Sequence, residues 1–152
     1  MSCKVSVIIP VYNGKEYLRA CVASVCKQTL REIEILIVDD GSTDGSGELA
    51  DALAAQDVRI RVFHQENQGL SGARNTGIDA ASGAFIGFVD ADDLVAPEMY
   101  EKMYTEAVTL SCDVVTCAYR SFSADRRRMR GCRCFRCTNA CRRNRSASIC
   151  RA

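Results

Sequence analysis

Three carboxylates fall within four residues at Asp90-Ala91-Asp92-Asp93, directly after the apolar run Phe85-Ile86-Gly87-Phe88-Val89. Like charges packed that closely repel unless a cation lies between them. Alternate Asp side chains offer oxygen ligands to a hard divalent ion, Mg²⁺ or Mn²⁺, which completes its shell with water and a diphosphate. The alternative is that one Asp caps the next helix and the others are merely solvated. A second acidic turn, Asp39-Asp40-Gly41-Ser42-Thr43-Asp44, could present a carboxylate to a base or ribose, or could be an ordinary strand–turn–helix connection. Tyr12 could stack on a nucleobase or pack as a partly buried ring.

A polar, glycine-rich stretch, Gln68-Gly69-Leu70-Ser71-Gly72-Ala73-Arg74-Asn75-Thr76-Gly77, precedes an Ala-rich segment. Free N–H groups at a helix start attract phosphate, and Arg74 adds a charge-assisted donor. Such loops also occur without a ligand. His64 is the only histidine and is expected simply to end a strand, which argues against a histidine-based triad or metal site.

These residues sit at the ends of short apolar runs that alternate with amphipathic ones, the signature of βαβ units and a parallel sheet. Val5–Val11 reads as a strand buried on both faces and is broken by Asn13-Gly14. Tyr17, Leu18, Cys21, Val22 and Val25 recur at helical spacing from Glu16 to Val25. Ile33–Val38 is a second strand, followed by a helix capped by Ser42 or Thr43 and carrying Leu49, Ala50 and Leu53. Ile60–Phe63, Ala84–Val89 and Val114–Tyr119 read as further strands. Gly69–Ala81 reads as a loop entering a helix, and Pro97 as the first turn of a helix reaching about Leu110. Ligands of an open parallel sheet bind beyond the carboxyl ends of its strands, where Pro10–Asn13, Asp39–Thr43 and Asp90–Asp93 all fall.

The 152 residues fit one domain of ordinary size, and 47% hydrophobic with 26% charged residues is the balance of a globular protein. No apolar run approaches the roughly 18 residues of a membrane span, and no signal peptide is expected. The net charge of +1 hides an asymmetry: all 19 acidic residues precede residue 126, whereas residues 126–152 contain only basic charge. Other nucleotide and hydrolase patterns are missing. No Gly-x-Gly-x-x-Gly follows the first strand, and neither a P-loop nor a Gly-x-Ser-x-Gly elbow occurs.

Four segments, Val5–Asn13, Val38–Asp44, Asn67–Asn75 and Asp90–Asp93, together resemble the family 2 glycosyltransferases in order and spacing. The resemblance covers about residues 3–120 and implies a GT-A fold: an α/β, Rossmann-like, mostly parallel sheet flanked by helices, here incomplete at the C-terminus. It implies transfer of a sugar, with inversion, from a nucleotide diphospho-sugar, commonly a UDP-sugar, to an acceptor hydroxyl on a glycan or lipid-linked glycan, as in cell-wall or polysaccharide biosynthesis. By position, Pro10 and Tyr12 would line the base pocket, Asp40 would bond the base and Asp39 would support that turn, with Asn13, Gly41 and Ala91 also among the nucleotide-sugar-binding residues. Arg74 would lie near the ribose or diphosphate. Asp90-Ala91-Asp92 would be the D-x-D motif, with Asp92 the direct ligand of Mn²⁺ or Mg²⁺ and Asp90 nearer the ribose.

The catalytic base stays unassigned. The family draws it, usually Asp or Glu, from a later segment, and no acidic residue follows Asp125. The expected domain is therefore 1–125, the donor and metal half, and the alternative function is a non-catalytic nucleotide-sugar-binding fragment of a truncated gene. Residues 126–152, with Cys132, Cys134, Cys137, Cys141 and Cys150 among ten Arg, read as a disordered or out-of-frame tail, as an arginine-rich nucleic-acid arm, or as a thiolate zinc site. No nucleic-acid partner is expected. The other cysteines (Cys3, Cys21, Cys26, Cys112, Cys117) are expected as reduced thiols, which suits the cytoplasm, with peripheral association at the inner membrane face open for a lipid-linked acceptor.

Overall fold

A computed structural model describes residues 2–118, 120–121, 130–131, 136–138 and 148–151. Its elements run β1 (Val5–Val11), α1 (Lys15–Cys26), β2 (Ile33–Asp39), α2 (Ser46–Ala54), β3 (Ile60–His64), α3 (Gly69–Ala80), β4 (Phe85–Phe88), α4 (Met99–Thr109) and β5 (Val114–Thr116). Four short strands follow: β6 (Arg120–Ser121), β7 (Arg130–Gly131), β8 (Arg136–Thr138) and β9 (Ser148–Arg151). The main sheet has the order β3-β2-β1-β4-β9-β5-β8. Its first four strands are parallel, and β9, β5 and β8 join antiparallel.

The β-branched residues of β1 and β2 place them at the centre. Val5, Val7, Ile9 and Val11 face one side and pack with Leu18, Cys21, Val22 and Val25 of α1 and with α2 and α4. Ile8, Leu36, Val38 and Ile86 face the other and pack on Ala73 of α3. The approach of α3 depends on Gly77, where a Cβ would meet Ile8 Cγ2 at 2.4 Å. Tyr17, expected on the apolar face of α1, is instead half exposed.

The β1–β2 connection steps one way along the sheet and the β3–β4 connection returns to the other side of β1. The chain therefore reverses direction between β1 and β4, where an open parallel sheet leaves a crevice. Pro10 suits this place. The β1–β4 ladder ends at Ile8 paired with Phe88, and Val89 N–H donates to Ile8 O, so the missing Pro10 N–H points where no ladder bond is required.

Three expectations are corrected. The second helix is not capped by Ser42 or Thr43: Gly45, with φ +87°, precedes it, and Asp44 accepts from the backbone N–H of Ser46. Strand β9 lies between β4 and β5. The tail is not wholly unstructured, because Ile149 of β9 enters the main core with no exposed surface, filling the slot between β4 and β5. The remaining tail expectations, including Cys132, Cys134 and Cys141 of the zinc reading, lie outside the described residues. Cys112, expected reduced, is disulfide-bonded.

Candidate functional site

The loops after β1, β2 and β4 meet at the carboxyl end of the sheet and are tied together by their own side chains. Asn13 takes φ +50°, its N–H donates to Ser42 Oγ at 3.0 Å, and its Oδ1 accepts from Thr43 N–H at 2.8 Å. Asp44 Oδ2 accepts from Lys15 N–H at 3.0 Å, and Ser46 Oγ accepts from Gly14 N–H at 3.1 Å. Groups from the second loop thereby satisfy the first turn of α1, whose Gly14 N-cap offers no side chain. Tyr12 projects from this knot, 56% exposed.

Asp39 and Asp40 are both buried but serve different ends. Asp39 Oδ1 accepts from Ser42 N–H at 3.1 Å, and Asp39 Oδ2 lies 3.1 Å from His64 Nδ1. Asp40 Oδ1 accepts from Gln65 Nε2 at 2.7 Å and from Gln68 N–H at 2.9 Å, which fixes the carboxylate at the mouth of the crevice. Gly41, at φ +75°, lets the turn pass under the next loop: a Cβ there would stand 3.0 Å from Asn67 N.

The acidic turn faces this pair of loops from β4. Arg74, on α3, donates from Nη2 to Asp90 Oδ1 at 2.8 Å, and its guanidinium lies over the Phe88 ring at 5.8 Å. Its Nε is buried and has no partner among the described residues. Asp92 and Asp93 are exposed. Ala91 lies against Gly14 and joins this turn to the start of α1. Behind it, the Cys21 thiol donates to the Asp90 carbonyl at 3.6 Å.

The charge of the turn is felt by its neighbours. Loss of hydration, reinforced by Asp92 and Asp90, raises the Asp93 carboxyl above its ordinary value. Burial, then the three carboxylates, pushes the Cys21 thiol up to about 12. Arg74 offsets only part of this charge, and the remaining hard carboxylate oxygens suit a divalent cation. No three His, Cys, Asp or Glu side chains converge as a metal cage among the described residues. Within the turn, Asp90 is engaged by Arg74, whereas Asp92 is exposed.

Ser42, Gln65 and Gln68 were not singled out for the roles they hold here, and His64 does more than end β3. Apart from this crevice, a cleft of about 370 Å³ opens at the other end of the strands, lined by Arg19, Cys26, Leu53, Asp57 and Arg59. There Arg59 donates to Asp57 and to the Cys26 carbonyl, closing the end of α1.

The profile of glycosyl transferase family 2 matches residues 6–149. The chain belongs to glycosyltransferase family 2. Among similar glycosyltransferases, EpsJ of Bacillus subtilis (strain 168) is 50% identical over 123 residues, covering 81% of this chain and 36% of EpsJ. GlyG of Streptococcus pneumoniae is 47% identical over 123 residues, covering 80% of this chain and 41% of GlyG. The chain thus spans well under half the length of these curated relatives. The crystal structure of S. aureus TarS 1-349 in complex with UDP-GlcNAc aligns with TM-score 0.68 at 30% identity, over 73% of this chain and 33% of that one. The fold is also that of mannosyltransferase PcManGT from Pyrobaculum calidifontis, solved with GDP-Man and Mn²⁺ (TM-score 0.71, 24% identity, 77% of this chain and 36% of that one). The GT-A, Rossmann-like architecture of a family 2 glycosyltransferase is therefore the architecture of residues 5–116, with Pro10, Tyr12, Asp39, Asp40, Arg74, Asp90 and Asp92 gathered at its switch point.

Proposed function

We propose that this chain is the donor-binding part of an inverting glycosyltransferase that takes its sugar from a UDP-sugar. The observation that carries the reading is the meeting, at one crevice, of an exposed aromatic ring, a fixed buried carboxylate and an Arg-paired acidic turn. Tyr12 stacks on the base, Asp40 accepts from the base, and Arg74 bonds the diphosphate as it exchanges partners with Asp90. Asp92, with Asp90 nearer the ribose, would hold Mn²⁺ or Mg²⁺, which would supply charge stabilisation to the diphosphate. TarS, crystallised with UDP and with UDP-GlcNAc, supports uracil as the base.

The acceptor in this reading is a hydroxyl of a glycan or lipid-linked glycan, deprotonated by a carboxylate base. The site of action is the cytoplasm or the inner membrane face. Among the described residues no helix is long and apolar enough to cross a membrane.

Calorimetric titration of UDP and GDP, with and without Mn²⁺, on wild type and Asp92→Ala tests the proposal. Mn²⁺-dependent UDP binding that disappears in Asp92→Ala is the expected result. A folded chain that binds neither nucleotide overturns it.

A further inference from the structure

We propose that His64 is a positioning residue for the nucleotide pocket, holding the Tyr12 loop in place through Asp39 and Ser42; this rests on the donor-site reading above. His64 ends β3 and is the registered neighbour of Asp39, which ends β2. Its ring is held at both nitrogens by different elements. Nδ1 lies 3.1 Å from Asp39 Oδ2, and Nε2 lies 3.1 Å from Asp51 Oδ1 of α2. From Asp39 the connection continues inward: Ser42 N–H donates to Asp39 Oδ1, and Asn13 N–H donates to Ser42 Oγ, next to Tyr12. A half-exposed imidazole is therefore joined to the loop that bears the stacking ring by an unbroken run of hydrogen bonds.

The inner part of this run has no slack. The Asp39 side chain is 8% exposed, and a Cβ on Gly47 would stand 2.6 Å from its Oδ2 and 3.4 Å from His64 Cε1. The outer part faces solvent, with His64 at 48% and Asp51 at 62% exposure. The charged groups facing the ring are Asp39 from β2 and Asp51 from α2, and both favour the doubly donating imidazolium, in agreement with a raised pKa. A histidine that only terminated a strand would need neither partner. Here the ring braces Asp39, whose other oxygen sets the turn at Ser42.

Coupling between two sites is reciprocal, so a nucleotide that tightens the Tyr12 loop must also change the proton affinity of His64. His64 is the only histidine, and its imidazole resonances are unambiguous in this chain. The experiment is an NMR pH titration of those resonances with and without saturating UDP and Mg²⁺, alongside UDP calorimetry on His64→Ala and His64→Asn. The inflexion is expected to move when UDP is bound. Alanine is expected to weaken UDP binding about tenfold, the scale of one lost hydrogen bond to a charged group. Asparagine, which keeps an N–H within reach of Asp39 Oδ2, is expected to recover most of that loss. Bound UDP with an unmoved inflexion, an Ala variant that binds like wild type, or an Asn variant no better than Ala each overturns the assignment. Wild type that binds no UDP overturns the donor-site reading and this inference together.

Discussion

Arg74 Nη2 stands 2.8 Å from Asp90 Oδ1, joining the glycine-rich helix α3 to the acidic turn after β4. Both side chains are substantially exposed, so the pair adds little to stability. Its consequence is positional: the guanidinium is held between the Phe88 ring and the Asp90 carboxylate, at the turn assigned to the diphosphate. Arg74→Ala is expected to reduce UDP affinity about tenfold or more while shifting the melting temperature little, the scale of a lost charge-assisted bond. Arg74→Lys recovers only part, because an ammonium lacks the planar fork that spans Asp90 and the ring. Calorimetry paired with thermal melting checks both, and an Ala variant with unchanged affinity would remove Arg74 from the site.

Gln65 is the next residue to test. It donates to Asp40 Oδ1 at 2.7 Å and accepts from Thr76 Oγ1 at 2.6 Å, so it links the buried carboxylate to α3. Gln65→Ala leaves Asp40 with Gln68 N–H as its remaining donor and is expected to cost about 1–2 kcal/mol of stability. The same change is expected to lower UDP affinity, because Asp40 loses its fixed direction. Urea denaturation and nucleotide titration read the two effects separately.

The parallel half of this fold was legible because its strands are short runs of β-branched residues ended by Asp, Gly or Asn. Val5–Val11 is a strand over the same bounds in sequence and structure. The site residues were legible where they lie at strand ends, since the topology places such positions together. What stayed hidden depends on register. Gln65 and His64 matter because β3 pairs with β2 so that His64 faces Asp39, and no spacing in the sequence expresses that pairing. The cap of α2 was misplaced because Ser42 and Thr43, both good capping residues, bond Asn13 across the crevice instead. Strand β9 was missed because Ser148–Arg151 holds only one strongly apolar residue, and its burial is set by the gap between β4 and β5.

Asp57 gives a prediction for acid stability. Its hydrogen bonds to Arg59 Nε and Nη2, at 3.0 and 2.7 Å, hold the carboxyl down at about 2, well below its ordinary value of 3.8. A carboxyl lowered by folding stabilises the native state above its unfolded pKa, and that contribution fades as pH falls through the folded value. Asp57→Asn is therefore expected to cost about 1–2 kcal/mol at neutral pH. The gap between the variant and wild type should narrow as pH drops from 3.8 towards 2. Urea midpoints measured across that range check the prediction, and a pH-independent gap would assign the cost to packing.

Ile149 decides whether the arginine-rich tail is part of the domain. Strand β9 pairs antiparallel with β4 through Phe85–Arg151 and Gly87–Ile149, and with β5 through Val115–Ile149. Ile149 has no exposed surface and shares the core with Tyr100, Met103 and Val115. Removing most of a fully buried aliphatic side chain costs about 2–5 kcal/mol. Ile149→Ala is accordingly expected to lower the urea midpoint by that scale with an unchanged slope. Deletion of residues 126–152 is expected to do more, since it uncovers the edge of β4 beside the acidic turn and leaves its ladder groups unpaired. That loss should reach the site, because Val89 and Asp90 continue directly from β4. Nucleotide affinity measured on the deletion variant should fall along with its stability. If Ile149→Ala unfolds at the wild-type midpoint, the tail contributes nothing to the sheet and β4 is the edge of the folded domain.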